Sequence, residues 1–341
     1  MSLSRFQRTL LRGEDLVYFD GFSGIGGWTE AVERTGDRVS AAVNHWDKAV
    51  MVHAANHPSV EHRREQLDDT FDYCSLPDFN AAVLSPSCQG HSNAGQMGRA
   101  ASGDVTAAHD KLRATAWAVS RCLHERRPEV CVVENVAEFM RWEQIEAWKM
   151  SITCLGYSLT EQVLLASKWN TPQRRHRVIY VAHHEGAPIH LRDPDVPERS
   201  LRGVFDRSAG GWKDISSMKP RSPKNKSPYL TAREKAEVSD ARLRGRLGWG
   251  QHTNYNRWGL TTDAPAPTLT TVPGLMFWTK AGRYRQWTDG ELLAASTFSR
   301  DYDLCGVTRK DASRLIGNAV PPEFGRGILE AVKAEALRLI A

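Results

Sequence analysis

Short, nearly continuous apolar runs alternate along the chain with longer stretches of mixed character. Leu16-Val17-Tyr18-Phe19, Val39-Ser40-Ala41-Ala42-Val43, Ala81-Ala82-Val83-Leu84 and Val130-Cys131-Val132-Val133 are the clearest runs. Runs this short and apolar read as strands buried on both faces, as in a parallel sheet. Helical stretches follow them: Trp28 to about Thr35, a second running to about Asn56, and a third from Ala107 to about Arg126. Strand, turn and helix repeated in this order predict an α/β fold, a mostly parallel sheet flanked by helices. Leu159–Ala166 and Arg177–Ala182 add two strands, and Glu323–Ile340 reads as a helical tail returning to the main domain.

From His183 to about Thr262 the pattern fades. Pro, Gly, Ser and basic residues dominate there, with Trp212, Trp249, Tyr255 and Trp258 scattered among them, and no element is assigned. The reading is a small irregular domain over 186–304, with 1–185 and 305–341 forming the larger one. No internal repeat or low-complexity tract is present.

At 341 residues the chain is long enough for about two domains. No apolar run approaches membrane-spanning length, and Met1–Leu11 lacks a signal-peptide pattern, so a cytoplasmic protein is expected. Six cysteines stand at 74, 88, 122, 131, 154 and 305 with no CxxC spacing, which argues against a zinc ribbon and for free thiols. The net charge of +5 is unevenly placed: Arg192–Arg246 holds 14 Lys/Arg against 8 Asp/Glu, so this region carries the whole basic surplus. That suggests a polyanionic partner, the alternative being an ordinary solvated surface.

The candidate chemistry lies at strand ends, where open α/β sheets bind ligands. The first strand runs into Asp20-Gly21-Phe22-Ser23-Gly24-Ile25-Gly26-Gly27. A strand, glycine turn and helix can lay backbone against a ligand at the helix N-terminus; the GxGG spacing is not the dinucleotide GxGxxG, and a tight structural turn is the alternative. The second strand ends at Asn44-His45-Trp46-Asp47, a position that commonly meets a nucleotide ribose, and Trp46 either stacks on an adenine or packs in the core. The third ends at Ser85-Pro86-Ser87-Cys88-Gln89-Gly90-His91-Ser92, with Gly95, Gly98 and Gly103 beyond it. Cys88 stands where a nucleophile would, on the lip of a loop. A lone cysteine is otherwise a buried structural residue, a reading against which the flanking Ser87, Gln89 and His91 argue.

The fourth strand ends at Glu134-Asn135-Val136, placing Glu134 at the same edge as Cys88, and a carboxylate there is costly unless paired or used. After Pro172, alternation puts Gln173, Arg175 and Arg177 on one face of an extended segment, unless this is simply an exposed basic turn. His53 and His57, at helical i, i+4 spacing, read as surface residues rather than metal ligands, no third ligand being evident, and no metal is expected.

Together these residues resemble the C5-cytosine DNA methyltransferase family, over nearly the whole chain. Phe22–Gly27 matches the first motif of the S-adenosylmethionine site, Pro86-Ser87-Cys88-Gln89 resembles the Pro-Pro-Cys-Gln nucleophile loop, Glu134-Asn135-Val136 matches Glu-Asn-Val, and Gln173, Arg175 and Arg177 match Gln-x-Arg-x-Arg. Gly317-Asn318-Ala319-Val320-Pro321-Pro322 matches the last motif. Five motifs in the family's order make coincidence an unsatisfactory account. The resemblance implies a Rossmann-like S-adenosylmethionine-dependent methyltransferase fold, with a target-recognition domain where the basic irregular region lies.

It also implies roles. Cys88 would add as a thiolate to C6 of cytosine, turning the ring into an enamine whose C5 accepts a methyl group. Glu134 would act as the acid at N3, with Arg175 or Arg177 holding O2 and orienting Glu134. Asp20, Phe22, Ser23, Gly24, Ile25, Gly26, Gly27, His45, Trp46, Gln66, Pro86, Asn318 and Ala319 would contact the methyl donor. Ser85, Gln89, Ser92, Asn135, Val136 and Gln173 would contact the substrate, a cytosine flipped out of double-stranded DNA. The expected enzyme is a monomer.

Four positions depart from the family pattern. His45 stands where an acidic residue usually holds the ribose, Ser87 replaces the second proline, Gln66 lies near where an aspartate often meets the adenine, and Gly290-Glu291 replaces Arg-Glu before the small domain's framework helix. Three other readings compete: a catalytically impaired DNA-binding protein on this fold, an RNA cytosine-5 methyltransferase, and a dinucleotide oxidoreductase. Intact Cys88, Glu134, Arg175 and Arg177 argue against the first, and the last has no use for the Cys88 loop.

Overall fold

The computed structural model describes residues 3–87, 115–194, 196–206, 208–214, 248–251, 257–261, 263–269, 275–278 and 283–340. A short first helix, α1 (Arg5–Leu11), was not apparent in the apolar pattern; a capping box in which Ser4 and Gln7 satisfy each other's backbone starts it. The expected strands follow as β1 (Val17–Gly21), β2 (Arg38–Val43), β4 (Ala81–Leu84) and β5 (Val130–Asn135), with a short strand the apolar pattern did not show, β3 (Glu61–Arg63), between β2 and β4. Between them come α2 (Gly27–Arg34), α3 (Asp47–Asn56) and α4 (Trp117–Arg126). The part of the third expected helix before Thr115 lies outside the described residues. Next come α5 (Ile145–Thr153), β6 (Tyr157–Leu165), β7 (Gln173–Arg174) and β8 (His176–His184).

Seven strands form one sheet in the order β3-β2-β1-β4-β5-β8-β6. The first five are parallel, and β8 runs antiparallel to both β5 and β6. The period of two in a strand separates neighbouring residues onto opposite faces, and here both faces are buried. Tyr18, Val130 and Val132 pack with Phe6, Trp28, Val32, Phe324 and Ile328 on one side. Phe19, Cys131 and Val133 pack with Val119, Leu123, Trp148 and Ile152 on the other.

A second, antiparallel sheet begins in the region without a legible pattern and continues past it. Its strands are β9 (Lys213–Asp214), β10 (Gly248–Gln251), β11 (Arg257–Thr261), β13 (Leu275–Trp278) and β14 (Arg283–Gln286), in the order β11-β10-β13-β14-β9; β12 (Ala266–Pro267) instead pairs with β7. Glycines at 248, 250 and 259 interrupt the side-chain alternation that would have revealed β10 and β11.

Three helices end the chain: α6 (Asp289–Ala295), α7 (Arg309–Asn318) and α8 (Pro322–Arg338). The tail returns to the main sheet as expected; Gly325 is pressed so closely on Ala31 and Trp28 of α2 that a Cβ would lie 2.8 Å from Ala31 Cβ. A third apolar cluster joins Ile25, Ala49 and Val52 to Leu292, Leu293, Leu315 and Ile316, so α6 and α7 pack on the elements that follow β1 and β2. Among the described residues no helix is long and apolar enough to cross a membrane.

Candidate active site

Parallel strands β1, β2, β4 and β5 all finish at one edge of the sheet, with Gly21 paired to Val43 and Leu84, and Leu84 to Val133. An antiparallel strand begins where its parallel neighbours end. β8 therefore starts at this same edge, Asn135 facing Val178, and the Gln173–Arg177 segment arrives beside Glu134.

Glu134 is buried, 6% exposed. Arg177 Nε lies 2.7 Å from its Oε1 and Arg175 Nη2 lies 3.8 Å away. The approach of Arg177 is that of an ion pair, off the axis of a hydrogen bond, and Oε1 receives no hydrogen bond among the described residues. The two arginines divide the work: Arg175 Nη1 donates to Gly317 O at 3.0 Å, tying this edge to the end of α7, while Arg177 is the closer to Glu134. Gln173, fully buried, donates to Ala295 O and accepts from Leu269 N. Its side chain is spent on joining the sheet edge to α6 and the 263–269 segment.

Asn135 Nδ2 donates to Pro86 O at 3.1 Å, and its Oδ1 accepts from Val136 N at 2.8 Å. The Glu-Asn-Val segment is thus fastened to the backbone two residues before Cys88. Ser85 N donates to Gly21 O, and Ser85 Oγ accepts from Trp28 Nε1 at 3.0 Å. Cys88, Gln89 and Ser92 lie outside the described residues. The other five cysteines are free thiols. Burial pushes the thiols of Cys122 and Cys131 well above the ordinary range, and burial with Asp303 nearby raises that of Cys305.

The glycine turn is built by close approach. Phe22, Gly24 and Gly26 have φ of 62°, 56° and 93°. Gly26 N donates to Ser23 O, and Ser23 N to Val43 O, holding the turn against the end of β2. A Cβ on Gly27 would stand 2.1 Å from Val320 O, so only glycine lets the last motif lie against the first turn of α2. At Gly24 a Cβ would meet no described residue within 4 Å, an open flank among them. Asp20, fully buried, accepts from Thr29 N and Oγ1 through Oδ2, while its Oδ1 has no hydrogen-bond partner among the described residues.

His45 and Trp46 follow β2 at this edge. Trp46 is half-buried, and the Arg314 guanidinium sits over its ring at 4.8 Å. His45 is exposed on its outer side, yet partial burial, and then the charge of Arg314, hold its pKa below the ordinary 6.5. Gln66 is exposed just after β3, and Asn318, also exposed, ends α7 beside buried Ala319. At the Gly290-Glu291 departure, a guanidinium comes from elsewhere: Arg285 bonds both oxygens of fully buried Glu291 at 2.7 Å.

The expectation for His53 and His57 needs correction. Both are buried, not on the surface, and a third histidine joins them, His53 Nδ1 lying 2.7 Å from His62 Nε2. A signal was present: Ala49, Val52 and His53 fall on one helical face at i, i+3, i+4, the face that packs inward.

A doubly covered, mostly parallel sheet with a glycine turn at one strand end and an acid–arginine cluster at its neighbours defines a Rossmann-like, S-adenosylmethionine-dependent methyltransferase. The chain belongs to the C-5 cytosine-specific DNA methylase family, whose model matches residues 17–334, and is a DNA cytosine-5 methyltransferase. It is 26% identical over 338 residues to the Type II methyltransferase M1.HphI of Haemophilus parahaemolyticus, covering 93% of this chain and 86% of that one. It is also 26% identical over 345 residues to the Type II methylase M.HgiDII of Herpetosiphon aurantiacus, covering 92% and 94%. In fold it is similar to the S. pombe Dnmt2 methyltransferase, with a TM-score of 0.63, 16% identity and coverage of 93% and 98%.

Proposed function

We propose that this enzyme takes S-adenosylmethionine at the Phe22–Gly27 turn and methylates a cytosine flipped out of double-stranded DNA, with Cys88 as nucleophile. The observation that carries the reading is the Glu134 carboxylate, buried between two guanidiniums and linked through Asn135 to Pro86. The donor reading is supported by the open flank at Gly24, the unpartnered Asp20 Oδ1 behind the turn and the half-exposed Trp46 ring. Phe22–Gly27 with His45, Trp46, Gln66, Pro86, Asn318 and Ala319 would hold the donor, which supplies an electrophilic methyl group.

The protein's part is to make C5 nucleophilic. Addition of the Cys88 thiolate at C6 pushes electron density onto N3 of the ring. Glu134, whose Oε1 has hydrogen-bonding capacity to spare among the described residues, would share a proton with N3 as that density builds. Arg177 keeps that carboxyl in place and faces the O2 side of the base, while Arg175 anchors the edge to α7. After methylation the C5 proton leaves and the Cys88–C6 bond breaks, regenerating the thiolate. Bisulfite sequencing of DNA from cells expressing the protein tests the reading: a fixed set of protected cytosines in a common sequence context is expected, and their absence would overturn it.

The domain division 1–185 plus 305–341 and 186–304 belongs to this proposal, as do a monomeric state and action in a bacterial cytoplasm. The Type II names of the relatives support a role in modification alongside a restriction enzyme. If the basic region Arg192–Arg246 lies against phosphates, duplex affinity falls about 10³-fold or more between 50 and 200 mM salt. Exchanging residues from about 186 to 262 for those of a relative should then change the methylated sequence and leave the reaction intact. An unchanged sequence preference would place recognition elsewhere.

His45 gives a further expected outcome. A carboxylate accepts from two ribose hydroxyls, a neutral imidazole accepts one hydrogen bond, and an imidazolium none. His45→Glu should therefore tighten donor binding by up to about tenfold, one hydrogen bond being worth about 0.5–1.5 kcal/mol. Protonation removes the acceptor, so wild-type donor affinity should fall with falling pH. Because burial and Arg314 lower the pKa, that loss sets in below the ordinary 6.5 and not through it. Calorimetry on both proteins at several pH values checks the two statements.

A further inference from the structure

Behind the glycine turn the histidines form two hydrogen-bonded chains. In the first, Thr29 Oγ1 donates to Asp20 Oδ2 at 2.8 Å, since a carboxylate only accepts. Thr29 Oγ1 must then accept from His53 Nε2 at 3.0 Å. In a neutral His53, Nδ1 is then the acceptor, and His62 Nε2 donates a hydrogen bond to it at 2.7 Å. Neutral imidazoles satisfy this chain. Burial, reinforced by His53 and His57, pushes the pKa of His62 down to about 4.

The second chain ends on the turn itself. Tyr302 OH donates to the carbonyl of Ile25, which can only accept. The single hydroxyl hydrogen is then used, and the 3.0 Å contact to His57 Nε2 requires the histidine to donate. His57 Nδ1 lies 2.9 Å from Glu33 Oε2, again an acceptor only. Both ring nitrogens of His57 must carry hydrogens. The surroundings suit a cation: Glu33 and Glu30 Oε2, the latter 3.9 Å from Nε2, face it from α2, and Glu30 is also paired with Arg34. From α3 it meets His53, ring centroids 5.0 Å apart, and through that ring His62 of β3 and Asp20 of β1. A Cβ on Gly26 would lie 2.8 Å from His57 Nε2 and 3.0 Å from Tyr302 OH, so this pair sits directly on the turn.

We propose that His57, as an imidazolium, and Tyr302 are positioning residues that hold the Ile25 carbonyl and thereby set the donor-binding turn. A neutral His57 would turn Nε2 into an acceptor competing with Ile25 O for the one hydrogen of Tyr302, and the turn would lose its clamp. The proposal rests on the donor reading of this turn and adds the residues that shape it. Neither residue belongs to the five motifs.

Two measurements test it. In ¹⁵N-imidazole NMR of the full-length protein at neutral pH, His57 should show two protonated ring nitrogens, and His53 one protonated and one bare. Tyr302→Phe, which keeps the ring and removes the hydroxyl, should raise the KM for S-adenosylmethionine about five- to tenfold and leave kcat at saturating donor within about twofold. His57→Phe should raise the same KM, and if that variant melts much lower, Tyr302→Phe alone decides. A bare nitrogen on His57, or a folded Tyr302→Phe protein with unchanged donor KM, overturns the proposal while leaving the donor site in place. A wild-type protein that takes up no S-adenosylmethionine overturns the donor reading, and this proposal with it.

Discussion

Replacing Cys88 with serine should bring methyl transfer below detection while the melting temperature and much of the duplex affinity stay where they were. The alkoxide that serine would need is absent at neutral pH, whereas a thiolate is accessible, so the addition at C6 is lost outright. The same step predicts a covalent product. DNA carrying 5-fluorocytosine at the target should form an adduct that survives denaturation, because fluorine cannot leave C5 as a proton does. Mass spectrometry of the adduct should place it on Cys88. Cys122 and Cys131 are buried with their thiols held in the protonated form, which makes them internal controls. An adduct on any other cysteine would displace Cys88 from the mechanism.

The second large effect belongs to Glu134. General acid catalysis contributes about 10²–10⁴-fold, so Glu134→Gln should lower kcat within that range. The amide keeps the shape but leaves the Arg177 and Arg175 guanidiniums, both largely buried, without their counter-charge. Removing one partner of a buried pair is destabilising, so the melting temperature should fall as well. Assaying well below the lowered transition separates the two effects. A folded Glu134→Gln enzyme retaining more than about a tenth of wild-type turnover would remove Glu134 from the proton step.

The strands of the main sheet were legible because both faces of β1, β4 and β5 are covered, leaving runs such as Ala81–Leu84 with no polar residue to blur them. Their ends were legible too, since proline, glycine and charge mark them. The division of labour between Arg175 and Arg177 was not. It depends on β8 running antiparallel, so that its first residues meet the ends of the other strands, and alternation alone put both arginines on one face. α7 escaped notice because small Ala312, Ser313 and Gly317 supply most of its inward face, leaving only Leu315 and Ile316 as large apolar residues. Strands β10 and β11 of the second sheet were hidden by the glycines within them. His53 and His57 were misread because polarity was weighed above position: a histidine on an inward helical face is buried and must find partners, here Thr29, Glu33 and Tyr302.

The contact between Gly27 and Val320 also has a bearing on how the chain comes off the ribosome. The turn at the start of α2 is made long before the backbone that closes on it at Val320, and α8 must follow before Gly325 can settle on Ala31 and Trp28. A nascent chain that stops short of Val320 holds the strands of the sheet and an unfinished turn. Such long sequence separation is slow to close. Completion of the turn therefore waits until every residue between Gly27 and Val320 has been translated, the basic segment Arg192–Arg246 among them.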